Sequence, residues 1–218
     1  MIPTQNVLSS TNIRTAYEQA VAWYLGRVGA VDEALWNDTG LGVWSVRELV
    51  AHGARSITLV TDGLTAASTA GGAGDGPPLV GAGPFAYWRS VFGRLDTAEF
   101  ATLSAQVAER GRQDAALLGD DPVQAVWAMA EATLNRLADT VDGALIATRF
   151  GRLTLVDYLP SRVVELVTHG LDLCRATGQP LDPPELAAGV SVAMLTGFGD
   201  PARMVLALTG REPYAVLA

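Results

Sequence analysis

Glu165 and His169 stand four residues apart in the run S-R-V-V-E-L-V-T-H-G-L-D-L-C-R, residues 161–175. Val163, Leu166, Val167 and Leu171 recur at helical spacing, so the run reads as a helix. On a helix, side chains four apart lie on one face, one turn from each other. An imidazole and a carboxylate placed so are a ready pair of metal ligands. The chain has two histidines, and the second, His52, lies in another strong helical run, S-V-R-E-L-V-A-H-G-A-R-S. If the two helices pack face to face, His52, Glu165 and His169 converge. Two imidazoles and one carboxylate leave a coordination position open, as catalytic metal sites do. The plainer alternative is a pair of core histidines satisfied by hydrogen bonds.

Asp172 follows His169 by three residues and could orient it from behind, or be a helix-end charge beside Arg175. Arg55 and Arg162 lie one turn from His52 and Glu165. They could anchor an anionic substrate or form surface ion pairs. Cys174 reads as a small core residue. Trp44 reads as a staple onto Leu49. Phe85, Tyr87 and Trp88 line a pocket or fill the core.

The elements that must carry these residues are overwhelmingly helical. Thr11 or Asn12 can cap a first helix running to about Val28. Residues 35–43 form a turn-rich loop. Ser45-Val46-Arg47-Glu48 is a capping box opening a helix to about Ala67. Ser68 to Pro84 is a long Gly- and Pro-rich loop, either a lid or an insertion. Phe85 to Arg94 reads as a short aromatic helix. Asp96 or Thr97 caps the next, Ala98 to about Leu117. Asp121-Pro122 starts another, to about Thr140, with Val123, Val126, Trp127, Ala130, Leu134 and Leu137 inward. Residues 144–152 are extended, with a turn at Gly151. Thr154 to Leu159 is a short helical entry, and Pro160 starts the metal helix afresh, to be ended by Gly178. Helices of about Pro184–Leu195 and Pro201–Leu208 follow, and the tail R-E-P-Y-A-V-L-A reads as a short strand. Long helices on short connections make an antiparallel four-helix bundle, where metal sites form between facing helices.

Composition narrows the partners. The 218 residues are 49% hydrophobic and carry a net charge of −8. No basic cluster offers a nucleic-acid footprint. No apolar run reaches the ~18 residues of a membrane span, and the N-terminus shows no signal peptide. One cysteine suits a reducing cytoplasm. All 15 basic residues are arginine, which points to a high-GC genome and excludes lysine chemistry.

The paired motifs Trp44 to His52 (W-S-V-R-E-L-V-A-H) and Ser161 to Leu173 resemble the mycothiol-dependent maleylpyruvate isomerase family, within the DinB-like metalloenzymes. The end M-V-L-A-L-T-G-R-E-P, Met204 to Pro213, is also similar to the end of that family's C-terminal domain. The resemblance implies a mainly α, DinB-like antiparallel four-helix bundle over residues 1–178, with an unusual crossover. Residues 179–218 would be a small, reduced C-terminal α/β appendage. It implies one zinc ion on His52, Glu165 and His169, presented to mycothiol, a low-molecular-weight thiol. Family arginines of the C-terminal domain help hold an anionic substrate, and Arg211 is the one match here. The implied function is a zinc- and mycothiol-dependent isomerase or S-transferase, cytoplasmic, monomer or homodimer, that adds a thiolate to a small electrophile. Two other readings remain open. One is a non-thiol metalloenzyme, either a hydrolase or a non-haem iron oxygenase. The other is a metal-free bundle recruited for small-molecule binding in biosynthesis.

Overall fold

Ser9, in extended backbone, turns its side chain onto the Asn12 amide at 3.3 Å and so starts α1 (Ser10–Gly29). The cap therefore lies two or three residues before Thr11 and Asn12, because the hydroxyl that reaches an orphan amide is the one three residues upstream of it. Described by this computed structural model are residues 7–69, 79–92 and 97–215. The turn-rich stretch after α1 holds a 3-10 turn (Glu33–Leu35) and a small hairpin, β1 (Thr39–Leu41) with β2 (Trp44–Ser45). The hairpin delivers the chain directly into α2 (Val46–Thr69). Here the capping box is formed. The Ser45 amide donates to Glu48 Oε2 at 2.7 Å, and the Glu48 amide donates to Ser45 Oγ at 3.3 Å.

Of the expected loop, residues 68–69 complete α2 and residues 70–78 lie outside the described residues. Its end is tied down, since the Val80 amide donates to the Arg152 carbonyl at 2.9 Å. Helix α3 spans Ala86–Phe92 and α4 spans Thr97–Leu117. The alternative cap Asp96 lies outside the described residues. Asp121 caps α5 (Pro122–Ala138), its carboxylate accepting from Gln124. The buried stripe of α5 is Val126, Ala130, Thr133 and Leu137. Trp127, expected inward, is 50% exposed. It follows Val126 by about 100° of helix, which turns it off that stripe.

Strands β3 (Leu145–Thr148) and β4 (Gly151–Thr154) pair antiparallel, so the turn falls at Arg149 and Phe150, just before Gly151. Thr154 caps α6 (Leu155–Thr177), which runs unbroken through Pro160 to Gly178 in the left-handed region at φ 69°. A separate entry helix and a fresh start at Pro160 are therefore not what forms. Proline already has a helical φ, and in the second turn it forfeits one hydrogen bond. Burial of Leu155, Tyr158, Leu159 and Val163 on either side outweighs that loss.

Helix α6 packs on α1 and α2, and α2 packs in turn on α4 and α5. Tyr24 reaches across to donate to the Val50 carbonyl at 2.9 Å. Gly170 lets Trp23 approach α6 so closely that a Cβ there would collide with the indole. After Gly178, α7 (Glu185–Phe198) buries Ala187, Val190, Ser191 and Met194 and packs on α6 and α1. Helix α8 (Pro201–Leu208) buries none of its residues. The strand expected in the tail is absent from residues 211–215, and residues 216–218 lie outside the described residues.

Candidate metal centre and its cavity

The contact between α2 and α6 brings the two motifs together. His52, two turns into α2, meets His169 on α6 with ring centroids 4.5 Å apart and nearly perpendicular, at 78°. His52, Glu165 and His169 each offer a ligand atom, and these atoms lie within 4.8 Å of one another. His169 Nε2 is 3.2 Å from Glu165 Oε2, so its other nitrogen, Nδ1, is turned away from the cluster. That Nδ1 lies 3.3 Å from Asp172 Oδ2, a close ionic contact without the alignment of a hydrogen bond. Asp172 is thus behind His169, and Glu165 is in front.

Charges follow from these contacts. Burial works against a charged His169, yet the Asp172 and Glu165 carboxylates outweigh it and hold its pKa up to about 9. Burial, then the neighbouring His169, pushes His52 down to about 3. Burial also opposes ionisation of Glu165, but His169 and Arg162 hold it well below the usual carboxylate range. Without a metal, the cluster is therefore a carboxylate and an imidazolium beside a neutral imidazole.

The donor set suits a metal ion. His52 Nδ1 is buried and has no hydrogen-bond partner, which is costly for a polar atom unless something completes it. A proton on His169 Nε2 occupies the place between imidazole and carboxylate where a cation would sit. The three donors also match a site with coordination positions left open.

The cluster lines a cavity of about 1210 Å³. Arg55, Arg162, Tyr87 and Trp88 line it as well. Arg55 is closed by Asp114 of α4, 2.9 Å away. Arg162 is 5% exposed and lies inside the fold rather than on its surface. Arg211 is not brought to the cavity; it is exposed and donates to the Thr209 carbonyl at 3.3 Å. Cys174 is buried on α6, where burial raises its thiol pKa. Phe85 packs close to Gly197 of α7.

Two lining residues carry more than the sequence reading gave them. Trp44 lies over His52, 4.5 Å between centroids at 34°. Tyr158 precedes Arg162, Glu165 and His169 by four, seven and eleven residues, which is one face of one helix. The signal was there, but a helix restarted at Pro160 separates Tyr158 from that face.

The family model of the mycothiol maleylpyruvate isomerase N-terminal domain matches residues 17–174, and all three residues of the cluster fall inside the match. No curated protein and no solved structure matches the chain.

Proposed function

From its match over well more than half its length, the chain belongs to the mycothiol maleylpyruvate isomerase N-terminal domain family, with a mainly α, DinB-like fold, and we propose that it is a zinc- and mycothiol-dependent enzyme. The reaction is isomerisation or S-transfer, joining a thiol sulfur to a small electrophile. The observation that carries this reading is the convergence of His52, Glu165 and His169 within 4.8 Å, with a buried ring nitrogen of His52 unpartnered.

His52, Glu165 and His169 would hold the zinc ion. Zinc there supplies Lewis acidity that favours the deprotonated form of a thiol. The Asp172 carboxylate, 3.3 Å from Nδ1, favours a proton on that side of His169, and Nε2 is the nitrogen that would face the ion. Trp44 covers His52 and fixes its ring plane. Tyr87 and Phe150 give the cavity aromatic surface, with Trp88 and Tyr158 buried beside them. Arg55 and Arg162 line the cavity as cations for a substrate anion, together with Arg110 and Arg149, and Arg55 is paired with the Asp114 carboxylate. The division of the chain at Gly178 belongs to the same proposal: Gly178 ends α6, and α7 beyond it packs back on α6 and α1.

The test is elemental mass spectrometry of the purified protein, with and without added zinc and mycothiol. One zinc per chain, lost in His169→Ala with helical content kept, is the expected result. Iron in its place would favour oxygen chemistry, and full activity of His169→Ala would refute the metal reading. A thiol requirement in turnover separates S-transfer and isomerisation from hydrolysis.

A further inference from the structure

Arg162 is a buried cation that the fold leaves without a close ion-pair partner, the Glu165 carboxylate acting on it only from a distance. Its side chain is 5% exposed, and its Nε donates to Ser161 Oγ at 3.1 Å. The guanidinium carbon sits 4.9 Å from the Tyr158 ring centroid and 5.3 Å from that of Tyr87. Among the described residues, no carboxylate comes within 4.0 Å ion-pair reach of it. Other arginines are closed in that way, Arg55 by Asp114 and Arg14 by Asp142. The Glu165 carboxylate, one turn along α6, is directed to His169 instead. Two tyrosine faces compensate a cation in part. A buried charge without a close ion-pair partner is costly. The terminal nitrogens of Arg162 thus hold donors in the planar fork that fits a carboxylate, sulfonate or phosphate.

The rest of the cavity selects the body of such an anion. Its walls away from the cluster are largely apolar, with Leu59, Trp88, Val91, Leu103 and Phe150 among them. At about 1210 Å³ it is larger than a short-chain acid needs, since pockets of roughly 300–1,000 Å³ enclose drug-sized ligands.

We propose that Arg162, flanked by Tyr87 and Tyr158, is an anion-binding subsite, and that the substrate class is an acid with an aromatic or comparably bulky apolar body. The acid group rests on Arg162 and the body lies along the wall formed by Leu59, Leu103 and Phe150. This deepens the functional reading above and rests on it only for the placing of the reacting centre in the same cavity.

The experiment is calorimetric titration of the full-length protein with naphthalene-2-sulfonate, with the neutral shape match 2-(methylsulfonyl)naphthalene, and with methanesulfonate. Sulfonates are weak metal ligands, and each titration is repeated after chelation. The aromatic sulfonate is expected to bind at least about tenfold more tightly than the neutral sulfone, as charged hydrogen bonds of this kind allow. Methanesulfonate should bind weakest of the three. In Arg162→Gln the two naphthalenes should bind within about twofold of each other. Circular dichroism reports whether that variant folds, and the wild-type comparison decides the matter if it does not. Equal affinity of the two naphthalenes for the wild-type protein would overturn the proposal. So would a preference lost on chelation, which would put the anion on the metal. A preference that survives chelation supports the subsite even if no zinc or thiol chemistry is found, so the two readings can fail separately.

Discussion

The indole of Trp44 lies over the imidazole of His52, 4.5 Å between ring centroids and inclined by 34°. Its Nε1–H donates to the Ala108 carbonyl at 3.1 Å. One side chain therefore joins α4 to the ring that α2 contributes to the cluster. Trp44→Phe keeps a ring over His52 and removes the bond. It should cost about 1 kcal/mol and lower Tm by about 2–4 °C. Trp44→Ala removes the ring as well and should lower metal affinity by about 10–100-fold. Thermal melts and metal titration check both. Unchanged metal affinity in Trp44→Ala would mean that the stacking does not position His52.

Asp172 sets the ring of His169 from the side away from the cluster. Asp172→Asn should weaken metal binding by about 10–100-fold. The same change also removes a carboxylate that holds the His169 proton, and so relieves proton competition. The loss should therefore be larger at pH 9 than at pH 7. Titrations at the two pH values test this, and an equal loss at both would separate Asp172 from the protonation of His169.

Metal uptake should be strongly pH-dependent. His169, held up to about 9, is protonated at pH 7 without metal, whereas His52, near 3, and Glu165 have no proton to lose. Binding at pH 7 should release about one proton per ion, with affinity rising about tenfold per pH unit up to pH 9. The sign for stability without metal is the reverse. The His169 contribution is complete below 6.5, its ordinary value, and is lost as pH rises through about 9. Calorimetry in buffers of different ionisation enthalpy counts the protons. No proton release at pH 7 would show that His169 is neutral before the metal arrives.

Two helical glycines should respond in opposite directions. A Cβ at Gly170 would meet the buried Trp23 ring, whereas one at Gly26 has nothing within 4 Å. Gly170→Ala should destabilise by about 1–3 kcal/mol through overpacking between α6 and α1. Gly26→Ala, on an exposed helical position, should stabilise by about 0.5–1 kcal/mol. Chemical denaturation measures both, and a neutral Gly170→Ala would place Trp23 elsewhere.

Local chemistry is what the sequence alone determined. The Ser45–Glu48 capping box, the Asp121 cap, the left-handed Gly178 and the helical period of α2 and α6 all act within a few residues, so their signals are written in consecutive positions. The same holds for Glu165 and His169, because a helix fixes where residues four apart must lie. His52 could be selected from sequence, but only the packing of α2 on α6 across more than a hundred residues brings it within reach of them. The same packing decided the charges. Burial and the neighbouring groups move His52 and His169 to opposite sides of their common ordinary value, which no local pattern encodes. It also decided the fate of Pro160. Read locally, proline restarts a helix; in the fold, buried side chains on both sides carry α6 through it and add Tyr158 to the face that holds Arg162, Glu165 and His169. Arg211 was left outside for the same reason. A matching motif in the sequence does not place a side chain, and the helices ahead of Arg211 direct it to solvent, away from the cavity.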